Sequence, residues 1–493
     1  MIERLIIKAL EAAMNLPYML KKKEEKQNNN ETLLGTATHP YHRNRKELVF
    51  LTSQERSRHI FILGSTGSGK TKLIEGLIRN DILAGRGFGL LDPHGDITEN
   101  ILKYFASLAA STDSPKSIAE IGKNLILIEP FNRDMAVGFN PLEAREREQY
   151  PLVLELMGIF KKLWKDAHWG PRMDELLRNT LLTLASNKLT LLEAKMLLAD
   201  SSFRQGLIEN LSSTEVKEYW LYRYNKLSEK MQTVYREPIL NRLSIFTSDS
   251  LIRSIIGQAK STFSFRQAMD QGKWILINLS KGYLKENSKL LGGLFIAKLQ
   301  NAAMSRVDMP ESKRRPFYLF IDEFQNFVSE DFKTILSESR KYGLSLATAC
   351  QTLSQMDTEL KGAILGNVGT QIIFRLSHKD ATSLSSELSP REKTAIERKL
   401  IDLKVREAIL KRKGDRPRTL KTPYMADSQS SMEVIQQIKE ASFSNYARPT
   451  KEVEKEIQKR VRAFNKVNSM EIEGFESKFA PPKDFNEGLD GWE

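Results

Sequence analysis

The sequence predicts an α/β fold: a parallel sheet interrupted by an all-helical segment. Three observations predict it. Short apolar runs alternate with helix-like segments along most of the chain. A glycine-rich turn joins one of these runs to a helix, and the stretch from about 143 to 265 breaks the alternation with helical periodicity and few strand-like runs.

The expected strands are "HIFILG" (59–64), "FGLLD" (88–92), "LILIE" (125–129), "WILINL" (274–279), "FYLFID" (317–322), "LSLATAC" (344–350) and "QIIFRL" (371–376). Several are apolar on consecutive residues, the pattern of strands covered on both faces. Within the helical stretch, Thr190-x-x-Glu193 and Ser212-x-x-Glu215 each have the form of a capping box opening a helix. Residues 404–422, "KVREAILKRKGDRPRTLKT", read as a hairpin turning near Gly414-Asp415 with cationic arms. No internal repeat is present.

At 493 residues the chain has room for two or three domains. With 40% hydrophobic and 28% charged residues it is an ordinary globular composition. The net charge of +13, from 75 Lys+Arg against 62 Asp+Glu, points to an anionic partner such as nucleic acid or a membrane surface. Cys350 is the only cysteine, which excludes an intrachain disulfide and a cysteine-based zinc site and makes a reducing cytoplasm the expected compartment.

No charge-free apolar run reaches the roughly 18 residues a membrane span needs. The first segment, "MIERLIIKALEAAMNLPYMLKKK", is interrupted by Glu3, Arg4, Lys8 and Glu11, so it does not read as a signal peptide. Ile2, Leu5, Ile6, Ala9, Leu10 and Ala13 fall on one face of a helix, suited to docking on protein or to peripheral attachment at the inner face of a membrane. Residues 21–31 are a polar linker, and the last thirty residues are acidic and expected to be disordered.

The chemistry starts at "GSTGSGKT". Gly64, Gly69, Lys70 and Thr71 occupy the fixed positions of G-x-x-x-x-G-K-[ST], with Ser65, Thr66, Gly67 and Ser68 between them. The backbone N–H groups of such a loop curl around a β-phosphate, and the helix that follows presents its positive end. Lys70 is placed to neutralise the β and γ phosphates, and the Thr71 hydroxyl to ligate Mg²⁺. A nucleotide with Mg²⁺ is therefore the expected ligand, and the resemblance given below makes it ATP.

Phosphoryl transfer also requires a carboxylate for the metal and a group that positions water. "PFYLFIDEFQNF" (316–327) supplies both: Asp322, at the end of an apolar strand, for the metal, and Glu323 to polarise the water. Gln351 ends the next strand and is placed to contact the γ-phosphate. Arg340, in "SESRKYGLS", suits an arginine finger that reaches a neighbouring subunit's nucleotide, with Arg375 as the alternative.

Taken in order, "ERSRHIFILGSTGSGKT", "GFGLLDPHGD", "FNPL", "WGPRMDELLRNTLLTL", "LINLSKG", "LFIDEFQNF" and "SRKYGLSLATACQT" resemble the HerA/FtsK superfamily of ATPases, and within it the TraD/TraG-type coupling proteins of type IV secretion and conjugation. The likeness runs from about residue 45 to 425. It implies a RecA-like P-loop NTPase domain of the ASCE type with an inserted all-α domain. It also implies a homo-hexameric ring, ATP hydrolysis that moves DNA, relaxase or secretion-channel proteins as partners, and the site roles given above.

On that basis the chain divides into an amphipathic helix and linker (1–31), a nucleotide-binding domain in two parts (32–142 and 266–425), the helical insertion (143–265) and a helical, acidic tail (426–493). Asp92, in "LLDPHGD", takes no more than an accessory role. Two cationic clusters offer DNA contacts or merely solvated faces: Lys281, Lys285 and Lys289, and Lys411, Arg412, Lys413, Arg416 and Arg418. Two other readings stay open at the level of sequence: a HerA-like translocase for DNA repair or packaging, and an ATPase acting on secreted proteins.

Overall fold

The computed structural model describes residues 31–38, 46–111, 116–164, 170–327, 336–356 and 358–461. The amphipathic segment, almost all of the linker and the acidic end of the chain lie outside them. No helix among the described residues is long and apolar enough to cross a membrane.

In chain order the elements that place the site are β1 (Glu31–Thr38), β2 (Lys46–Thr52), β3 (Ile60–Leu63), α1 (Lys70–Leu83), β4 (Gly87–Asp92), α2 (Asp96–Ala109), α3 (Ile118–Asn124), β5 (Leu125–Ile128) and β6 (Met135–Ala136). Then come α4 (Glu146–Trp164), α5 (Pro171–Ser186), α6 (Glu229–Thr247), β7 (Trp274–Asn278), α7 (Asn287–Met304), β8 (Phe317–Ile321), β9 (Leu344–Cys350) and β10 (Thr370–Ile373). The last are β11 (Glu407–Arg412), β12 (Arg418–Lys421), α8 (Met432–Tyr446) and β13 (Arg448–Pro449).

All seven expected strands form, and they lie together in one sheet. Its order is β2-β1-β12-β11-β10-β3-β9-β8-β4-β7-β5, and every pairing from β10 to β5 is parallel. Strands β3, β4, β5, β7, β8 and β9 are buried at every residue, which explains their unbroken apolar runs. The hairpin of β11 and β12 turns where expected, with the Asp415 amide bonded to the Arg412 carbonyl.

The antiparallel flank holds the main departure from expectation. Strands β1 and β2 were not foreseen, and Glu31, placed in the linker by sequence, begins β1. Neither strand has a long apolar run; their order comes from pairing with each other and with β12. Gly35 is needed there because a Cβ on it would lie 2.2 Å from the Lys421 carbonyl oxygen.

Between β6 and β7 every regular element among the described residues is helical. Trp220 is fully buried in this region and donates its indole N–H to the Thr183 hydroxyl at 2.8 Å. The region joins the sheet layer through α4, which packs along α7, and through Phe139 against Phe295 at 4.3 Å. The Thr190–Glu193 capping box is present. The second expected box is not: Ser213 caps the helix instead, and the Ser212 hydroxyl donates to Glu146 at 2.7 Å. Sequence spacing alone does not distinguish adjacent serines, and the tertiary acceptor on Glu146 decides between them.

The stretch after 425, expected as a tail, begins as a docked helix. Ser442 on α8 closes the free edge of β5: its hydroxyl donates to the Leu125 carbonyl at 2.8 Å and accepts from the Leu127 amide at 3.1 Å. Sheet edges left bare invite mispairing, and one side chain covers this one. Lys439 adds an ion pair to Glu129 at 2.8 Å.

Helices α8 and α3 cross closely because Gly122 has no side chain; a Cβ there would sit 2.4 Å from the Ala441 Cβ and 2.7 Å from its carbonyl carbon. Gly122→Ala should therefore destabilise the protein by about 1–3 kcal/mol through overpacking. A lower melting temperature together with faster proteolysis within 432–446 is the expected result.

Candidate nucleotide and phosphoryl-transfer site

The parallel sheet brings the ends of β3, β8, β9 and β10 to one edge, and the glycine-rich loop sits among them. Three chain segments hold it in place. The Gly64 amide donates to the Cys350 carbonyl at 3.2 Å, the Ser65 amide to the Arg375 carbonyl at 2.9 Å, and the Arg406 amide to the Ser68 carbonyl at 3.0 Å. Gly67 and Gly69 have φ of +73° and +116°, the left-handed conformation that glycine adopts without a steric penalty.

Lys70, the first residue of α1, is buried and bends back over the loop. Its ammonium donates to the Gly64 carbonyl at 2.5 Å and to the Ser65 carbonyl at 3.1 Å. Burial lowers its pKa, while Asp322 and Glu323 act in the opposite direction. Thr71 follows, half-buried, in the first turn of α1. The Thr66 hydroxyl donates to the Gln351 side-chain oxygen at 3.3 Å, so the residue that ends β9 does reach the loop.

Asp322 and Glu323 leave β8 at the same edge, and both are buried. The Glu323 amide donates to the Asp322 carboxyl at 3.0 Å, and Gln325 donates to the Glu323 carboxyl at 2.5 Å. Glu323 has φ +48°, a left-handed conformation on a residue with a long side chain. Such strain costs on the order of 1–3 kcal/mol and persists where the surroundings over-determine it. Gln325 was not singled out by sequence; its neighbour role depends on that backbone turn.

Asp92 lies beside Asp322 because β4 and β8 pair in register, Leu91 opposite Ile321. Its oxygens accept from the amides of His94, Gly95 and Thr98 and from the Thr98 hydroxyl. Those four bonds order the loop that opens α2 and account for Asp92 as a support.

Arg340 is not with the others. It is exposed in the turn Ser339–Tyr342, at the amino end of β9, whereas Gln351 follows the carboxyl end. The strand separates them by roughly 20 Å at about 3.3 Å per residue. Its neighbour is His59, at the amino end of β3, whose pKa falls to about 4, chiefly through burial and further through Arg340, so the imidazole is neutral. Arg375 is the reverse case: exposed, with its own carbonyl bound to Ser65, it stands beside its own subunit's loop.

The cationic clusters divide between structural and exposed groups. In the hairpin, Arg418 pairs with Glu47 at 2.6 Å, Arg412 with Glu55 at 3.2 Å, and Lys411 donates to the Asp415 carbonyl at 2.6 Å. Lys413 and Arg416, at its tip, are exposed. After β7, Lys289 pairs with Glu286 at 2.7 Å, while Lys285 is exposed.

Burial, Glu323 and Asp92 together raise the Asp322 pKa from its ordinary 3.8 to about 6. A raised carboxyl means that the folded state holds the proton more tightly than the unfolded state. The stability associated with it is present below pH 3.8, declines between 3.8 and about 6, and is gone above. Asp322→Asn should thus stabilise the nucleotide-free protein by about 3 kcal/mol above pH 6, with a gain that shrinks towards pH 4. Melting curves across that range check it, and a gain independent of pH would contradict it.

Residues 47–399 match the model of the type IV secretion-system coupling protein DNA-binding domain. No curated protein matches the chain in sequence. Among solved structures, the chain is similar to the plasmid coupling protein TrwB in complex with the non-hydrolysable ATP analogue ADPNP, at 17% identity and a TM-score of 0.53, covering 78% of this chain and 89% of that one. The unbound form of the bacterial conjugative coupling protein TrwBdeltaN70 gives 17% and 0.52, over 77% and 88%. VirB4 of Thermoanaerobacter pseudethanolicus gives 14% and 0.50, over 83% and 99%. At these identities the likeness is one of fold. The family match spans well over half of the chain and agrees with the parallel sheet, the helical region between its strands and the loop at its edge: the chain belongs to the family of the type IV secretion-system coupling protein DNA-binding domain.

Proposed function

We propose that this protein is an ATP-driven DNA motor of coupling-protein type. The observation that carries the reading is the meeting of Lys70, Asp322, Glu323 and Gln351 around one glycine-rich loop, on a chain whose family is defined by DNA binding. TrwB, which shares the fold, is described in complex with ADP and Mg²⁺ and with ADPNP.

The donor set suits a magnesium nucleotide. Two carbonyls now hold the Lys70 ammonium, and phosphate oxygens are better partners for it. The free amides of the loop and the first turn of α1 would take the β-phosphate. Thr71 and Asp322 would hold Mg²⁺, which when bound neutralises charge on the β and γ phosphates. Glu323, kept in place by Gln325, accepts a proton from the attacking water and aligns it. Gln351, tethered to Thr66, contacts the γ-phosphate and carries its loss back to β9.

We assign the motor to residues 32–142 and 266–425, with 143–265 as a helical insertion. The exposed cations at Lys285, Lys413 and Arg416 are suited to DNA phosphates, which a motor grips without reading bases. The expected result is ATPase activity stimulated by DNA of arbitrary sequence, with the stimulation fading as salt rises because phosphate contacts release counterions. Lys70→Ala should lose nucleotide binding. Glu323→Gln should bind ATP and turn it over about 100- to 10,000-fold more slowly. An ATPase rate indifferent to DNA at low salt would favour a protein substrate, and normal turnover in Glu323→Gln would mean another carboxylate activates the water.

Arg340 acts in trans in this reading, within a ring of identical subunits. Its place at the edge opposite its own loop supports that role, since it is too far away to serve its own nucleotide. A finger of this kind contributes roughly three to five powers of ten in rate. Arg340→Ala subunits retain Lys70, and Lys70→Ala subunits retain Arg340. Mixing the two inactive variants should restore part of the ATPase activity, and co-assembly without recovery would remove Arg340 from the role.

A further inference from the structure

The segment from Thr422 to Asp427 runs beside the glycine-rich loop and the first turns of α1. It is tied to the loop through Arg406, whose amide donates to the Ser68 carbonyl and whose backbone nitrogen would lie 3.4 Å from a Cβ on Gly69. The Thr422 amide donates to the Arg406 carbonyl at 2.9 Å, and the Arg406 guanidinium returns two bonds to the Thr422 carbonyl at 3.2 and 3.0 Å. Further on, Met425 packs over Gly76, Arg79 donates to the Ala426 carbonyl at 3.1 Å, and Asp427 pairs with Lys72 at 2.8 Å. The anchors of this segment are therefore Arg406, which touches the loop, and α1 between Lys72 and Arg79.

Tyr424 lies between those anchors and is left out of the packing. It is 62% exposed, although Thr422 and Met425 are buried. The Arg406 guanidinium lies over its ring, 5.5 Å from the centroid. Arg406 itself has φ +70°, a left-handed conformation on a long side chain, held by the bonds to Ser68 and Thr422. Backbone strain beside a ligand loop, spent on backing an exposed ring with a cation, marks a built surface rather than a loose loop end.

A nucleotide whose β-phosphate lies in the loop must carry its sugar and base out beyond the loop's rim. Arg406, one of the three residues bonded to the loop, borders it at Ser68 and Gly69, beside the start of α1. That is the flank along which residues 422–427 are laid. We propose that Tyr424, backed by Arg406, is the platform on which the purine base of the nucleotide stacks. An aromatic face carries no donor and acceptor pattern, so the platform favours a flat purine without separating adenine from guanine. The inference rests on the nucleotide site proposed above and adds the subsite for the base.

Calorimetry on the full chain with Mg²⁺ tests it, using ADP, GDP and inorganic pyrophosphate as probes. Tyr424→Ala should weaken ADP and GDP alike by roughly tenfold, the usual worth of one base stacked on an aromatic ring, and leave pyrophosphate unchanged. Tyr424→Phe and Tyr424→Trp should bind all three as the wild type does. Equal losses for ADP and pyrophosphate, or none for either, would overturn the platform. Lys70→Ala separates the two inferences, because it should lose pyrophosphate as well. A wild type that binds pyrophosphate as tightly as ADP removes the platform and leaves the phosphate site standing, whereas one that binds none of the probes removes both.

Discussion

Parallel pairing is the constraint on which the rest of this structure depends. Seven strands running one way place all their carboxyl ends at one edge of the sheet. Residues that follow β3, β8, β9 and β10 therefore meet in space although they are spread from Gly64 to Arg375 in the chain. Parallel strands also require crossovers, and the helices that provide them cover both faces. The sheet interior thus holds apolar side chains with a few hydroxyls such as Ser345 and Thr348, and the charged chemistry is confined to the rim. The same rule separates Arg340 from its own nucleotide loop, because a residue before a strand belongs to the opposite rim.

The rim holds charge at a cost in stability. Lys70 is buried against two carbonyls, Asp322 is buried beside Asp92 and Glu323, and Glu323 sits in a left-handed turn. None of these arrangements favours the nucleotide-free fold. The charged groups among them are improved by a ligand carrying phosphate and a divalent cation, which would satisfy the ammonium and offset the repulsion between carboxylates. A site prepared in this way binds its ligand with little reorganisation of the protein.

Stability comes from elsewhere, and much of it from polar contacts that close the sheet's flanks. Arg56 makes two bonds to Asp81 at 2.6 and 2.7 Å, lies over the Tyr318 ring at 3.6 Å and donates to Thr32. This buried pair joins α1, β8 and β1 at a single point. Breaking a buried ion pair by removing one partner leaves an uncompensated charge, so the cluster fixes how α1 sits on the sheet. At the other end, Ser442 from α8 pairs the backbone of β5. The glycine-rich loop thus opens a helix anchored at its far end by Asp81 and along its flank by residues 425–427.

What the sequence determined by itself was local. Runs of consecutive apolar residues announced the seven buried strands, the spacing of Gly64, Gly69, Lys70 and Thr71 announced a phosphate loop, and Gly414-Asp415 announced the hairpin. Each signal lies within a few residues, where periodicity and turn chemistry act. Tertiary structure alone decided the rest. Strand β1 exists because β12 offers it an edge, and β2 because β1 then offers another; Ser213 caps a helix because Glu146 takes Ser212; α8 is ordered because β5 has an unpaired flank. The site divides the same way. Asp322, Glu323 and Gln351 were legible as strand ends, but Gln325 as a tether, Arg340 at the far rim and Arg406 against the loop were not. Their positions depend on strand direction and on backbone turns between residues distant in sequence, which no short-range pattern records.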